Sequence, residues 1–187
     1  MADKNLIKIY VDANSAKRVD IIIKNYSSFI GIVEGYTEGL RYMIECEKES
    51  NLHSEMGDLG VRIHGGGVIS DPTAKKAVRN VMTKDALINC NFLGDVMEGV
   101  DRSEEFIRNA YLLREMRKDY ELFNLQLSIL GKEKESFEQY LRGEKSLVDI
   151  AEQEGITYES AKMRIHRSRL KVKNQVVSFM EGKRGIA

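Results

Sequence analysis

The sequence predicts an all-α protein with a helical N-terminal domain over residues 1–130 and a smaller C-terminal domain over residues 131–187. The chain contains one proline, Pro72, so long helices can run uninterrupted. Lys, Glu, Met, Leu and Ile are numerous, a composition that fits helices. Apolar residues recur every three or four positions over long stretches, which is the spacing of an amphipathic helix.

The first long apolar stripe runs from Val19 to Ile44, with steps of seven and four residues. It predicts one long amphipathic helix, or two helices broken near Gly31, Gly35 or Gly39. Its length allows a homodimer through the N-terminal helices. An intramolecular helical hairpin is favoured, because three glycines weaken a free-standing coiled coil.

The polar stretch 45–55 is expected to end this helix. The glycine-rich stretch 57–70 is predicted to be a connector, with a short β-hairpin as the alternative. No Lys-Ser or Lys-Thr pair follows its glycines, and their spacing fits neither nucleotide-binding motif. Asp71 and Pro72 then predict a new helix start, with Asp as the N-cap and Pro at the first helical position.

The helix after Pro72 places four apolar residues on one face, and it is expected to continue over residues 85–100 with a break near Gly94 or Gly99. Those four residues are Ala77, Val78, Val81 and Met82. Asp101 and Glu104 resemble a capping box. A long helix should follow from there to about Leu130.

Gly131 should end that long helix. A short helix with an apolar face should then complete the core of the C-terminal domain; this face is Phe137, Tyr140 and Leu141.

The segment from Ser146 to Val172 has the layout of a helix-turn-helix. Ser146 can cap a first helix, Gly155 can end it in the left-handed conformation, and Thr157 can cap a second helix. On the second helix, one line of small or apolar residues is expected to face the first helix. These residues are Ala161, Ile165, Ser168 and Val172.

The other side of the second helix is predicted to bind double-stranded DNA. The side chains that could enter a major groove are Glu159, Ser160, Lys162, Met163, His166 and Arg167. Those that lie more laterally or further along and suit phosphates are Arg164, Arg169, Lys171 and Lys173. The predicted DNA-binding residues are Tyr158, Glu159, Ser160, Lys162, Met163, Arg164, His166, Arg167, Arg169 and Lys171. The competing interpretation is a solvated basic helix that packs on its neighbour.

The segment GITYESAKMRIHRSRLKVK resembles region four of bacterial sigma factors, and is most similar to the extracytoplasmic-function type through the run Ala161–Arg169. The preceding FEQYLRGEKSLVDIAEQEGIT resembles the helix that comes before the reading helices in that region. The resemblance implies contact with a minus-35-like promoter element and with the flap of RNA polymerase. The segment GVRIHGGGVISDPTAKKAV also resembles phage regulators of the ArpU and RinA kind, which implies a phage or prophage origin.

Charge and composition limit the kinds of site and the location that we expect for this protein. The formal net charge is zero, so a DNA footprint must be local, and the run Lys162–Lys173 supplies it. Cys46 and Cys90 stand apart from each other and from the histidines, which predicts no disulfide framework, no metal site and no cofactor. No apolar stretch is long enough for a membrane span, and the N-terminus does not read as a signal peptide. We therefore expect a cytoplasmic, nucleoid-associated protein in a bacterial host.

The leading hypothesis is a transcription regulator with a sigma-like tail. A complete sigma factor is less favoured, because residues before 131 lack the aromatic and basic cluster that would trap unstacked bases. The alternative is a DNA-packaging protein like a small terminase subunit. An enzyme is not expected, since residues 1–130 show neither a nucleophile with supporting arginines nor a carboxylate cluster for metal ions.

Overall fold

The structure, a computed structural model, describes residues 3–56 and 72–182. Every regular element in these residues is helical, which confirms the predicted all-α class. The elements are α1 (Asp3–Val11), α2 (Ser15–Lys24), α3 (Phe29–Met56), α4 (Pro72–Asn89), a 3₁₀ turn (Asp95–Met97), α5 (Ser103–Gln126), a second 3₁₀ turn (Leu127–Glu133), α6 (Lys134–Arg142), α7 (Leu147–Glu154) and α8 (Tyr158–Gly182).

The chain forms two compact units. The first unit contains Met1–Ile32 and Met116–Ala187, and the second contains Val33–Glu115. This division differs from the predicted boundary near residue 131, because the N-terminal helices belong to the same unit as the C-terminal helices. Helices α3 and α5 each contribute residues to both units.

Buried polar and aromatic contacts join the N-terminal helices of the first unit to α5. The Tyr26 hydroxyl donates a 2.7 Å hydrogen bond to Asn124 Oδ1. The Phe29 and Tyr120 rings stack with centroids 5.6 Å apart. These contacts link residues about a hundred positions apart, so local sequence patterns do not reveal them.

The apolar stripe of α2 and α3 is buried, but the predicted break near the glycines is wrong. Gly31, Gly35 and Gly39 lie inside α3, and the break falls earlier, at residues 25–28. Asn25 ends α2: its backbone N–H bonds to the carbonyls of Ile21 and Ile22, and its side chain donates to the Ile21 carbonyl at 2.8 Å. An amide that satisfies the last carbonyls of a helix determines this break more strongly than the low helix propensity of glycine.

The prediction that residues 45–55 end the helix is also wrong, because α3 continues to Met56. Polar side chains of this stretch bind the loop before α5. The Glu47 carboxylate accepts the backbone N–H of Arg102 at 2.8 Å, and the Lys48 ammonium donates to the Val96 carbonyl at 2.7 Å. Asn51 Nδ2 donates to the Gly99 carbonyl at 3.1 Å. The polar character of the stretch therefore serves tertiary contacts within the second unit.

These contacts also replace the predicted capping box of Asp101 and Glu104. Helix α5 begins at Ser103, so Asp101 precedes the cap position. Its carboxylate accepts from Asn51 Nδ2 at 3.2 Å, while Glu47 takes the N–H of Arg102. A carboxylate from another helix therefore does the work that a local cap was expected to do.

Helix α4 begins at Pro72, as predicted, and ends at Asn89 rather than continuing toward residue 100. Cys90 adopts a left-handed conformation with φ of 50°, and the Asn91 N–H bonds to the Ala86 carbonyl at 3.1 Å. This i to i−5 bond is typical of a left-handed helix end. The predicted cap at Asp71 and the connector or hairpin of 57–70 lie outside the described residues.

The long helix ends a few residues earlier than the predicted end at Gly131. Helix α5 gives way to the 3₁₀ turn after Gln126, and Gly131 has φ of 57°. The short helix that follows is α6, in which Phe137 is buried and Tyr140 is partly exposed.

The apolar face predicted on α4 is not buried. Its four residues, Ala77, Val78, Val81 and Met82, are all exposed to solvent.

Candidate nucleic-acid interface

The start of α7 is held by a reciprocal cap. The Ser146 backbone N–H donates to Asp149 Oδ2 at 2.7 Å, and the Asp149 N–H donates to Ser146 Oγ at 3.3 Å. The bond from the Ser146 backbone N–H lowers the pKa of Asp149 below its usual value. The carboxylate therefore stays ionised near neutral pH and holds this end of the helix.

Gly155–Thr157 separate α7 from α8. Gly155 has φ of 63°, a conformation that costs little only for glycine. The Ile156 N–H closes the end of α7 by bonding to the Ala151 carbonyl at 3.0 Å. Thr157 Oγ1 accepts the Ser160 N–H at 3.2 Å and so caps α8. The predicted roles of Ser146, Gly155 and Thr157 in starting and ending these helices are confirmed.

One side of α8 is buried along its length. Four of its inward residues are those predicted from the sequence: Ala161, Ile165, Ser168 and Val172. Helix α8 packs on α7, on α2 and on the 3₁₀ turn before α6. Ser168 Oγ donates to Glu133 Oε2 at 2.9 Å, so this part of the line faces the 3₁₀ turn. The prediction that all four residues face α7 is therefore wrong for Ser168.

The opposite side of the first turns of α8 is open to solvent. We call it the exposed face of α8; its residues are Tyr158, Glu159, Ser160, Lys162, Met163, His166 and Arg167. Lys162 Nζ lies 3.7 Å from Glu159 Oε2, a loose contact between mobile side chains, 56% and 73% exposed. Within the described part of the chain, Arg167 and His166 form no polar contact. This face offers cations, a carboxylate, a hydroxyl and an imidazole to a partner.

The lateral cations of α8 form contacts inside the first unit instead. Arg164 pairs with Glu154 at the end of α7. Arg169 Nη2 lies 2.9 Å from Asp20 Oδ1 on α2. The Lys171 ammonium donates to the Ile129 carbonyl at 2.8 Å. Three of the residues predicted to contact phosphates are thus engaged within the protein.

Asp20 also accepts a hydrogen bond from Lys173, one turn further along α8. Partial burial alone would raise the pKa of Asp20, but the hydrogen bonds from Lys173 and Arg169 outweigh it and hold the pKa below its usual value. Sequence reasoning missed Asp20, because it lies 149 residues before Arg169 and carries no motif. Sequence reasoning also missed Glu154, which lies at the end of α7 and pairs with Arg164.

The described residues contain no group of three or more His, Cys, Asp or Glu side chains placed to hold a metal ion. Cys46 is an exposed free thiol and Cys90 a buried one. No helix in residues 3–56 or 72–182 has the length and apolar character that a membrane span requires. No family model, no curated protein and no solved structure matches the chain.

Proposed function

We propose that this protein is a DNA-binding transcription regulator of the sigma region-four type, encoded by a phage or prophage. In this proposal α7 and α8 form a helix-turn-helix, and α8 is the recognition helix. The single observation that carries the proposal is the exposed face of α8. It directly follows the turn at Gly155, and its Lys162, His166 and Arg167 side chains are exposed to solvent. Among these three, only Lys162 has an ion-pair partner in the described residues, a loose contact of 3.7 Å with Glu159.

The chemistry of this face matches the edges of base pairs in a major groove. Lys162 and Arg167 can donate to guanine O6 and N7, and Glu159 can accept from cytosine N4. Tyr158 and Met163 are each 47% exposed and can contact thymine methyl groups or sugars.

Phosphate contacts have a smaller role in this proposal than the sequence suggested. Arg164, Arg169 and Lys171 already contact Glu154, Asp20 and the Ile129 carbonyl, so each is less free to bind a phosphate than a cation without an internal contact. Because the net charge of the chain is zero, long-range attraction to DNA is weak. Recognition then depends mainly on the exposed face of α8.

RNA polymerase is a second proposed partner, supported by the sequence resemblance of residues 155–173 to region four. A regulator of this type contacts promoter DNA and polymerase together. Polymerase would then bind the promoter more tightly when this protein is present.

The proposal is tested by selecting binding sites for the intact protein from a pool of random DNA duplexes. The enriched site is then titrated with wild type and with the double variant Lys162→Ala/Arg167→Ala. Loss of a base-reading arginine costs about 1–3 kcal/mol, so affinity should fall roughly five- to 150-fold. The fall should be largest for the selected site and smaller for unrelated duplexes.

The matched control is Lys17→Ala/Lys118→Ala, which removes two exposed cations from α2 and α5 without touching α8. It changes the net charge equally and should leave sequence preference intact. If no sequence is enriched, or if both double variants lose affinity to the same degree, the exposed face of α8 does not read DNA and the proposal fails.

A further inference from the structure

One carboxylate on α2 holds two cations of α8. Asp20 Oδ1 lies 2.9 Å from Arg169 Nη2, and Asp20 Oδ2 accepts from Lys173 Nζ. Arg169 and Lys173 are four residues apart, so both lie on the same side of α8. One negative charge is therefore shared between two positive charges, which lowers the net positive charge on this side of α8.

The position of Asp20 is fixed by its neighbours. Val19, Ile22 and Ile23 are buried, and they anchor α2 where it packs against α8. The backbone of Asp20 is therefore held beside α8 as long as α2 stays in place.

The cluster nevertheless remains open to solvent. The side chains of Asp20 and Arg169 are 38% and 46% exposed. A cleft of about 520 Å³ adjoins them and is also lined by Lys24, Tyr140 and Leu141. An anion such as a DNA phosphate can approach Arg169 from this side, where it would compete with Asp20 for the same cations.

We propose that Asp20 determines specificity by keeping Arg169 and Lys173 from binding DNA phosphates. The inference rests on the proposed function. Phosphate contacts raise affinity for every sequence alike, whereas base contacts on the exposed face of α8 discriminate between sequences. The Asp20 carboxylate, by pairing with two lateral cations, weakens the phosphate contacts and leaves the base contacts intact. The ratio of specific to non-specific affinity rises as a result.

The variant Asp20→Asn tests this inference, with Asp12→Asn as the matched control. Both substitutions remove one negative charge from the first unit, and Asp12 is exposed and has no ion pair in the described residues. Affinity of the full chain for a random-sequence duplex is measured by fluorescence anisotropy across a range of salt concentrations. Each new phosphate contact steepens the slope of log affinity against log salt by about 0.9.

Asp20→Asn is expected to steepen that slope by up to about 1.8, for two released cations, and to tighten non-specific binding roughly tenfold or more at about 0.1 M salt. Asp12→Asn should keep the wild-type slope. Affinity for the selected site should rise less than affinity for the random duplex, so the ratio between them should fall.

The double variant Arg169→Gln/Lys173→Gln completes the test. It is measured both with Asp20 present and together with Asp20→Asn. With Asp20 present it should leave the slope unchanged, because these cations do not reach phosphate. With Asn at position 20 it should restore the wild-type slope. Thermal unfolding of each variant checks the fold, and Asp20→Ser replaces Asp20→Asn if the latter does not melt cooperatively.

The outcomes separate this inference from the proposed function. If wild type binds duplex DNA and Asp20→Asn matches Asp12→Asn, the inference alone fails and the ion pairs only join α2 to α8. If wild type binds its selected site but not the random duplex, and Asp20→Asn binds both, the inference is supported in its strongest form. If no variant binds any duplex, the proposed function fails and the inference fails with it.

Discussion

The hydroxyl of Tyr10 donates a 2.8 Å hydrogen bond to the carboxylate of Asp119, which lies 109 residues later in the chain. Both residues are buried. Arg18 completes the group: its guanidinium lies 3.6 Å from the same carboxylate and 5.1 Å from the centroid of the Tyr10 ring. A buried charge is tolerated only with such partners. The contact therefore makes the N-terminal helices an integral part of the unit that carries α8.

Substitution of Tyr10 by Phe should destabilise the protein. The variant keeps the ring and its packing but removes a donor from an ionised, buried acceptor, which costs about 1.5–3 kcal/mol. The free energy of unfolding in urea measures the loss. Tyr158→Phe is the control, since Tyr158 is 47% exposed, and it should leave the urea midpoint unchanged. An unchanged midpoint for Tyr10→Phe would show that the hydrogen bond adds nothing to stability.

Removal of residues 1–28 should abolish cooperative unfolding of the C-terminal helices α6, α7 and α8. This deletion exposes the face of α8 that α2 covers, and it removes the Tyr10 partner of Asp119 on α5. Circular dichroism with a thermal melt is the measurement, and removal of residues 183–187 is the control. A sharp melt from residues 131–187 alone would instead support the boundary predicted from the sequence.

The sequence predicted the start and end of α7 and the start of α8 because those features depend on contacts within four residues. Ser146, Gly155 and Thr157 each act on their own helix end. The residue type at each position is therefore enough to predict the cap or the turn. The lateral cations of α8 were assigned to phosphates because of their position on the helix, and the sequence did not show their partners within the protein. The sequence around α8 does not indicate Asp20 as a partner, because α2 lies beside α8 only in the folded chain.

The errors in helix boundaries have two origins, one local and one long-range. Asn25 ends α2 through its own side chain, and Glu47 supplies from another helix the acceptor that a local cap was expected to provide. Glycine inside α3 was expected to break the helix, yet buried neighbours such as Val33 and Leu40 stabilise it. Propensity is worth about 1 kcal/mol per glycine, which is less than the burial of one large apolar side chain.

Alanine substitution should have opposite effects at Gly155 and Gly39. Gly155 has φ of 63°, and a Cβ there costs about 1–2 kcal/mol. Gly39 lies within α3, and a Cβ there would have no other atom within 4 Å, so alanine should stabilise by about 0.5–1 kcal/mol. Urea unfolding of both variants gives the comparison. Stabilisation by Gly155→Ala would contradict the left-handed turn between α7 and α8.

Acid should weaken the contact between α2 and α8 through Asp20. Its pKa in the folded protein lies below the usual value, because the hydrogen bonds from Lys173 and Arg169 outweigh the effect of partial burial. A group with a lowered folded pKa contributes stability above its unfolded pKa and loses that contribution as the pH falls through the folded pKa. Unfolding free energies measured from about pH 7 to about pH 3 should therefore decline more steeply for wild type than for Asp20→Asn. Asp12→Asn should follow the wild-type curve, and parallel curves for wild type and Asp20→Asn would show that Asp20 has no favourable charge interaction in the folded state.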